Sequence, residues 1–175
     1  MKHHLLTLSL ILGCLACAPQ ANAQDAPSNK PDSAAASAEG NAVGEALKEI
    51  KKFVTSKKPN TQAKYYIFLE SASWCGPCNM EMPSVVKAYK EFSKTKQVEL
   101  ILMSADNTPE AAKAFIKKYH GNMPCLLGSS PEAKKVPGFK PAPGIPHATV
   151  VDASGKVIKE GHGSIVADWK SYITL

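Results

Sequence analysis

Trp74-Cys75-Gly76-Pro77-Cys78 is the stretch whose reading decides this chain. It follows an apolar run, Tyr65 to Leu69, and precedes a stretch whose apolar residues recur at helical spacing. Two thiols separated by two residues, at the end of a strand and in the first turn of a helix, suit disulfide exchange. The unpaired N–H groups and the dipole of that helix start favour negative charge, so the first thiol ionises more readily than a free cysteine. Cys75 is therefore the candidate nucleophile, and Cys78, one turn on, is placed to attack the mixed disulfide that Cys75 forms. Pro77 removes an N–H that the first turn does not use, and Gly76 leaves the sulfur open to a bulky protein substrate. The competing reading of a bare C-x-x-C is a zinc half-site. A structural zinc takes four ligands, usually with a second C-x-x-C or a spaced histidine pair. Beyond the pair and the first residues of the chain there are Cys125 and scattered His120, His147 and His162, so no metal and no cofactor is expected.

The 175 residues, 44% of them hydrophobic, suffice for one domain with extensions and need no disulfide framework. The net charge is +6, and all 21 basic residues are lysine. Bidentate recognition of phosphate or of guanine edges is the work of arginine, so this balance speaks against nucleic acid as a partner. The lysines spread along the chain, as in Lys51-Lys52, Lys117-Lys118 and Lys134-Lys135, and read as solvated helix faces and loop ends.

Met1 to Ala23 reads as a signal peptide: Lys2, an apolar stretch from Leu5 through Ala18, the breaker Pro19 and a small-residue cleavage site at Ala21-Asn22-Ala23. Ile11-Leu12-Gly13-Cys14 competes as a lipid-anchor site, to which Leu12 fits poorly. Both readings place the protein outside the cytoplasm, periplasmic or secreted, where disulfides are made and repaired. Residues 24–40, an Ala/Ser/Pro-rich stretch with few large apolar groups, read as a disordered linker. Residues 41–175 form the expected domain.

Within it, Val43, Leu47, Ile50 and Val54 fall at helical spacing, and Pro59-Asn60 ends that helix. Lys64 to Leu69 reads as a buried strand. Met82, Val85, Val86, Tyr89 and Phe92 mark a helix interrupted by Pro83. Val98 to Met103, apolar apart from Glu99, reads as a strand covered on both faces. Thr108-Pro109-Glu110 opens another helix, as cap, first-position proline and first-turn acid. A short strand at Met123 to Leu127 and a helical turn within Ser129 to Val136 follow. His147 to Val151 and Lys156 to Lys159 pair around Asp152-Ala153-Ser154-Gly155, and Ile165, Val166, Trp169 and Tyr172 mark a last helix. The fold class is α/β, a central mixed sheet covered by helices.

With Gly144-Ile145-Pro146 ahead of the hairpin and Glu81 and Pro83 after the cysteines, the chain resembles the thioredoxin fold, and within it the extracytoplasmic TlpA/ResA-type thiol-disulfide oxidoreductases. Ser71-Ala72-Ser73 looks more like tryparedoxin and nucleoredoxin chains. The resemblance covers residues 42 to 175. It implies an extra N-terminal helix, an inserted strand and helix between Met123 and Pro143, a redox-active Cys75–Cys78 disulfide, and a cis Pro146 facing the sulfurs. It also implies a docking surface made of Trp74, Gly76, Pro77, Ile145 and Pro146, protein thiols and disulfides as substrates, and an electron donor, a membrane-bound one among the options.

The chain departs from thioredoxins proper, which carry a buried aspartate six residues before the first cysteine, where Leu69 stands. Glu81 is the carboxylate of the TlpA/ResA-type group and a candidate proton carrier for Cys78; its alternative is a glutamate answering the helix dipole. Glu70 reads as a solvated strand end with a second acid near the site as the alternative, and Cys125 as a small buried cysteine with a third redox thiol as the alternative. His147 and His162 border the site. The functional expectation is an exported reductase of protein disulfides. A thiol peroxidase and a metal- or haem-maturation binding module without turnover are the alternatives.

Overall fold

The computed structural model describes residues 40–175; the expected signal peptide, the Cys14 site and residues 24–39 lie outside the described residues. In chain order the elements are α1 (Ala42–Glu49), β1 (Tyr65–Ser71), α2 (Gly76–Phe92), β2 (Val98–Ser104), α3 (Pro109–Lys118), β3 (Cys125–Leu127), β4 (His147–Asp152) and β5 (Val157–His162), with short 3-10 turns between and after them. The sheet order is β3-β2-β1-β4-β5. Strands β1, β2 and β3 run parallel, while β4 and β5 are antiparallel to their neighbours. The sheet is thus mixed, with the thiol pair directly after its central strand.

Successive right-handed crossovers, β1 to β2 through α2 and β2 to β3 through α3, step in the same direction and place both helices on one face. Ile67, Leu69, Leu100, Leu102, Ala148 and Val150 point to that face and pack with Met82, Val85, Phe92, Phe115, Ile116 and Trp169. The alternate residues Tyr66, Phe68, Ile101, Met103 and Val151 point to the other face, under Val43 and Leu47 of α1 and under Val136 and Phe139 of the β3–β4 connection. A strand buried on both sides reads as a continuous apolar run, which is what β1 and β2 show. Within β2, Glu99 is nonetheless buried. Its carboxylate is satisfied by the backbone N–H groups of Asn60 (2.6 Å) and Leu100 (3.0 Å), and burial pushes its pKa up.

Two helices differ from the sequence expectation. The first ends at Glu49 rather than near Pro59, because Ile50 turns to an extended conformation. The chain beyond it then lies along β3: the Val54 N–H donates to the Cys125 carbonyl (2.7 Å) and the Thr55 hydroxyl to that of Met123 (2.9 Å). Partners across the fold here outweigh helical propensity. The C-terminal segment forms two 3-10 turns, Gly163–Val166 and Trp169–Ser171, in place of a helix. Its i→i+3 bonds, such as Asp168 N–H to Ile165 O, close these turns while Val166 and Trp169 stay buried and the Tyr172 hydroxyl donates to the Ile165 carbonyl.

Helix α1 is fixed by Asn41. Its side-chain oxygen accepts from the Gly44 N–H (2.6 Å) and the Tyr66 hydroxyl (3.1 Å), and its amide donates to the carbonyls of Thr61 and Ala63. Gly44 permits this approach, since a Cβ there would overlap the Thr61 carbonyl oxygen and lie 2.6 Å from Asn41 Oδ1. Helix propensity alone would make Gly44→Ala stabilising by up to about 1 kcal/mol. The opposite is expected: overpacking should lower stability by about 1–3 kcal/mol in urea denaturation, and a stabilised variant would refute this account of α1.

Candidate active site

Strand β1 carries the chain to the end of the sheet at which its central strand stops, where Ser71 is still buried and its carbonyl accepts from the Ala105 N–H (2.9 Å). The next residues are held by Asp106, just beyond the end of β2. This buried carboxylate accepts from the Ser73 N–H (3.1 and 3.3 Å), the Ser73 hydroxyl (2.6 Å) and the Ser104 hydroxyl (2.8 Å). Asn79 fixes the loop from the other side. Its amide donates to the carbonyls of Ser73 and Cys75, both at 2.8 Å, while its oxygen accepts from Lys118 and Tyr119 at the end of α3. Trp74, between these anchors, stands 66% exposed.

Cys75 caps α2 with its sulfur, which accepts the Cys78 N–H at 3.2 Å, and Pro77 lies in the first turn where no N–H is needed. Cys75 and Cys78 are joined as a disulfide. Cys78 is 1% exposed and Cys75 6%, with Gly76 and Pro77 exposed between them. The Ile145 carbonyl oxygen lies 3.8 Å from the Cys75 sulfur, and the Ile145–Pro146 peptide bond is cis. The structure therefore gathers Trp74, Cys75, Gly76, Pro77, Cys78, Ile145 and Pro146 at one end of the sheet.

Glu81, one turn after Cys78, turns inward, its side chain 16% exposed. One carboxyl oxygen lies 2.7 Å from Nδ1 of His162, and the other is buried without a partner. Burial raises the Glu81 pKa, and the neighbouring His162 pulls it back in part.

Glu70 differs from the sequence expectation of a solvated strand end. It is buried, because β1 continues through Ser71, and both its oxygens accept from the Ala142 N–H (3.0 and 3.1 Å). It thereby anchors the loop that leads into Ile145 and Pro146. His147 pairs with Glu70 in register, its Nδ1 3.7 Å from that carboxylate, so it belongs to the Glu70 loop and not to the sulfurs. His162 alone of the two histidines reaches the thiol side of the sheet. Cys125 is fully buried, and burial pushes its thiol up to about 12, the behaviour of an inert core residue.

Among the described residues, no group of three or more His, Cys, Asp or Glu side chains is placed to hold a metal ion. A cavity of about 670 Å³ lined by Phe53, Thr55, Lys113, Ile116 and His120 includes neither cysteine of the pair. The two cysteines are themselves buried, and the exposed surface beside them is formed by Trp74, Gly76 and Pro77. Sequence reasoning missed Asp106 and Asn79. Asp106 carried one usable signal, its place just past the carboxyl end of a parallel strand beside β1, where α/β sheets collect functional groups. Asn79 carried none.

The Redoxin family model matches residues 24–171. Similar proteins include the thiol-disulfide oxidoreductase ResA of Bacillus thuringiensis subsp. konkukian, 37% identical over 91 residues, 52% of this chain and 50% of that protein. ResA of Bacillus subtilis is 28% identical over 93 residues, 53% of this chain and 50% of its own. The chain thus spans about half the length of the curated relatives it matches. Among solved structures, tryparedoxin II from C. fasciculata aligns with a TM-score of 0.58 at 21% identity, covering 74% of this chain and 90% of its own. Thioredoxin from Wuchereria bancrofti aligns at 0.53 and 24%, covering 70% and 94%. These likenesses show a thioredoxin fold.

The buried Glu70 gives a test of this geometry. Burial raises its pKa above the ordinary carboxylate value. An acid with a raised folded-state pKa binds its proton more tightly when folded, so stability falls as pH rises above the unfolded value near 4.5. Replacing Glu70 with Gln should remove that fall. Unfolding free energies of the two proteins should diverge between pH 4 and 8 in favour of the variant, and curves that stay parallel would show Glu70 to be solvated.

Proposed function

The chain belongs to the Redoxin family, and from that premise we propose that it is an exported thiol-disulfide oxidoreductase that reduces protein disulfides. The observation that carries this reading is the Cys75 sulfur held as the cap of α2 by the Cys78 N–H. In the dithiol form that N–H and the helix dipole stabilise a Cys75 thiolate. The thiolate attacks one sulfur of a substrate disulfide, forming a Cys75 mixed disulfide and releasing the other substrate sulfur as a thiolate. Cys78 then loses its proton to Glu81 and attacks the Cys75 sulfur, which restores the Cys75–Cys78 disulfide and releases the second substrate thiolate. An external dithiol donor returns the pair to the reduced state.

Docking falls to Trp74, Gly76, Pro77, Ile145 and Pro146. The cis bond at Pro146 turns the Ile145 backbone toward the sulfurs, where an extended substrate segment can pair with it. Gly76-Pro77 between the cysteines and Ile145 before the proline resemble reductive relatives. The Met1–Ala23 pattern supports export to a compartment where such a reductase has disulfides to act on.

Glutathione or dithiothreitol equilibration, read by alkylation and mass, should give a reversible two-electron couple nearer thioredoxin's (about −270 mV) than DsbA's (about −120 mV). A value near the DsbA end would make the protein an oxidant. In an insulin-reduction assay, Cys75→Ser should abolish turnover while Cys78→Ser accumulates a mixed disulfide at Cys75. Turnover surviving in Cys75→Ser would refute the assignment of the nucleophile.

A further inference from the structure

We propose that His162 is the positioning and relay residue through which Glu81 exchanges its proton with water, for a substrate class of protein disulfides. This rests on the reading of Glu81 as the proton acceptor of Cys78. Side-chain exposure rises in steps along the path: Cys78 is 1% exposed, the Glu81 side chain 16% and the His162 side chain 60%. A proton leaving Cys78 has no direct route to solvent, and Glu81 stands on the same helical face one turn on.

His162 meets Glu81 from the end of β5, Nδ1 to Oε1 at 2.7 Å. The ring is also held at Ser164, whose hydroxyl lies 3.2 Å from the same nitrogen. Room for the carboxyl is made by Gly163. A Cβ at that buried position would overlap Glu81 Oε2, lie 2.9 Å from Pro146 Cβ and approach Leu69. The dipeptide His162-Gly163 thus supplies both the ring and the space in which the acid turns inward. The polar groups facing Glu81 are His162 and Ser164 at and after the end of β5; Cys78 lies one turn before it on the same helix, and the apolar Leu69 and Pro146 flank the Gly163 position that the Glu81 Oε2 approaches. Glu70 and His147 are engaged with each other and with the Ala142 loop.

The proton balance closes in both half-reactions. During resolution the Cys78 thiol gives its proton to the Glu81 carboxylate. Glu81 passes it to Nδ1, and the exposed ring releases a proton from Nε2 to water. When a donor dithiol reduces the Cys75–Cys78 disulfide, the leaving Cys78 thiolate takes a proton back along the same path. No electron moves through His162.

The test uses the full chain in its dithiol form, reacted in single turnover with an oxidised peptide disulfide from pH 5 to 9 and followed by Trp74 fluorescence and quenched alkylation. His162→Ala should slow resolution by roughly tenfold near neutral pH, leave iodoacetamide alkylation of Cys75 unchanged, and recover when imidazole is added. His162→Asn keeps a donor near the Nδ1 position but cannot relay, so it should be equally slow and equally rescued. Combining His162→Ala with Glu81→Gln should add nothing to Glu81→Gln alone. If His162→Asn resolves at the wild-type rate, or imidazole rescues neither variant, the relay is overturned. If Glu81→Gln itself resolves normally, the underlying reading of Glu81 fails instead.

Discussion

Burial of β1 on both faces is the constraint on which the rest of this molecule depends. Tyr66, Ile67, Phe68 and Leu69 are each at most 1% exposed, and burying such side chains contributes about 1.5–3 kcal/mol apiece. A strand held that firmly has no freedom along its length, so reactive groups collect where the chain leaves it. At that end the chain must enter α2 at once, and the first N–H groups of a helix need acceptors. A cysteine sulfur can serve as one, and when it does the acceptor atom is also the nucleophile. In Cys75 the capping atom is the sulfur for which nucleophilic attack is proposed.

Three polar side chains turn this arrangement into a fixed surface. Asp106 holds Ser73, Asn79 ties Ser73 and Cys75 to the end of α3, and Glu70 holds Ala142 ahead of Ile145. Each satisfies backbone groups that the loops would otherwise leave unpaired near the core. The loops that bear Trp74 and Ile145 are not part of the sheet, yet the first is pinned from α2 and from the residue just past β2, and the second from β1.

The sequence made the centre of the fold legible and its margins less so. The thiol pair, the apolar runs of β1 and β2 and the Thr108-Pro109 start of α3 are local signals, and the structure has each element in place. The spacing of Val43, Leu47 and Ile50 was real, but it marked burial in one layer and not a helix continuing to Val54, which packs against the other layer. Ile50 and Phe53 reach the same apolar layer from an extended chain. Trp169 and Tyr172 likewise pack as a helical face would while the backbone takes 3-10 turns. The polarity of Glu70 suggested water, and its actual partner, Ala142, is 72 residues away. Asp106 meets the same limit, since the Ser73 N–H it binds is 33 residues away, whereas Asn79 binds carbonyls four and six residues back that its own side chain does not advertise.

The surroundings of the two sulfurs also bear on the direction of exchange. A dithiol becomes an oxidant when its reduced form is strongly stabilised, usually by cations or donors around the nucleophilic thiolate. Here the Cys75 sulfur receives the Cys78 N–H, but its other near polar neighbour is a carbonyl oxygen, at 3.8 Å, whose negative end opposes a thiolate. The histidine on this side of the sheet is engaged by Glu81, so its charge when protonated is answered by a carboxylate before it reaches the sulfurs. Lys118, the lysine brought toward the loop, is taken up by Asn79. Among the described residues the Cys75 sulfur thus has one backbone donor and a helix start beside it, and the nearby lysine and histidine are each engaged by another side chain. Those neighbours are the physical ground on which the reducing direction is proposed.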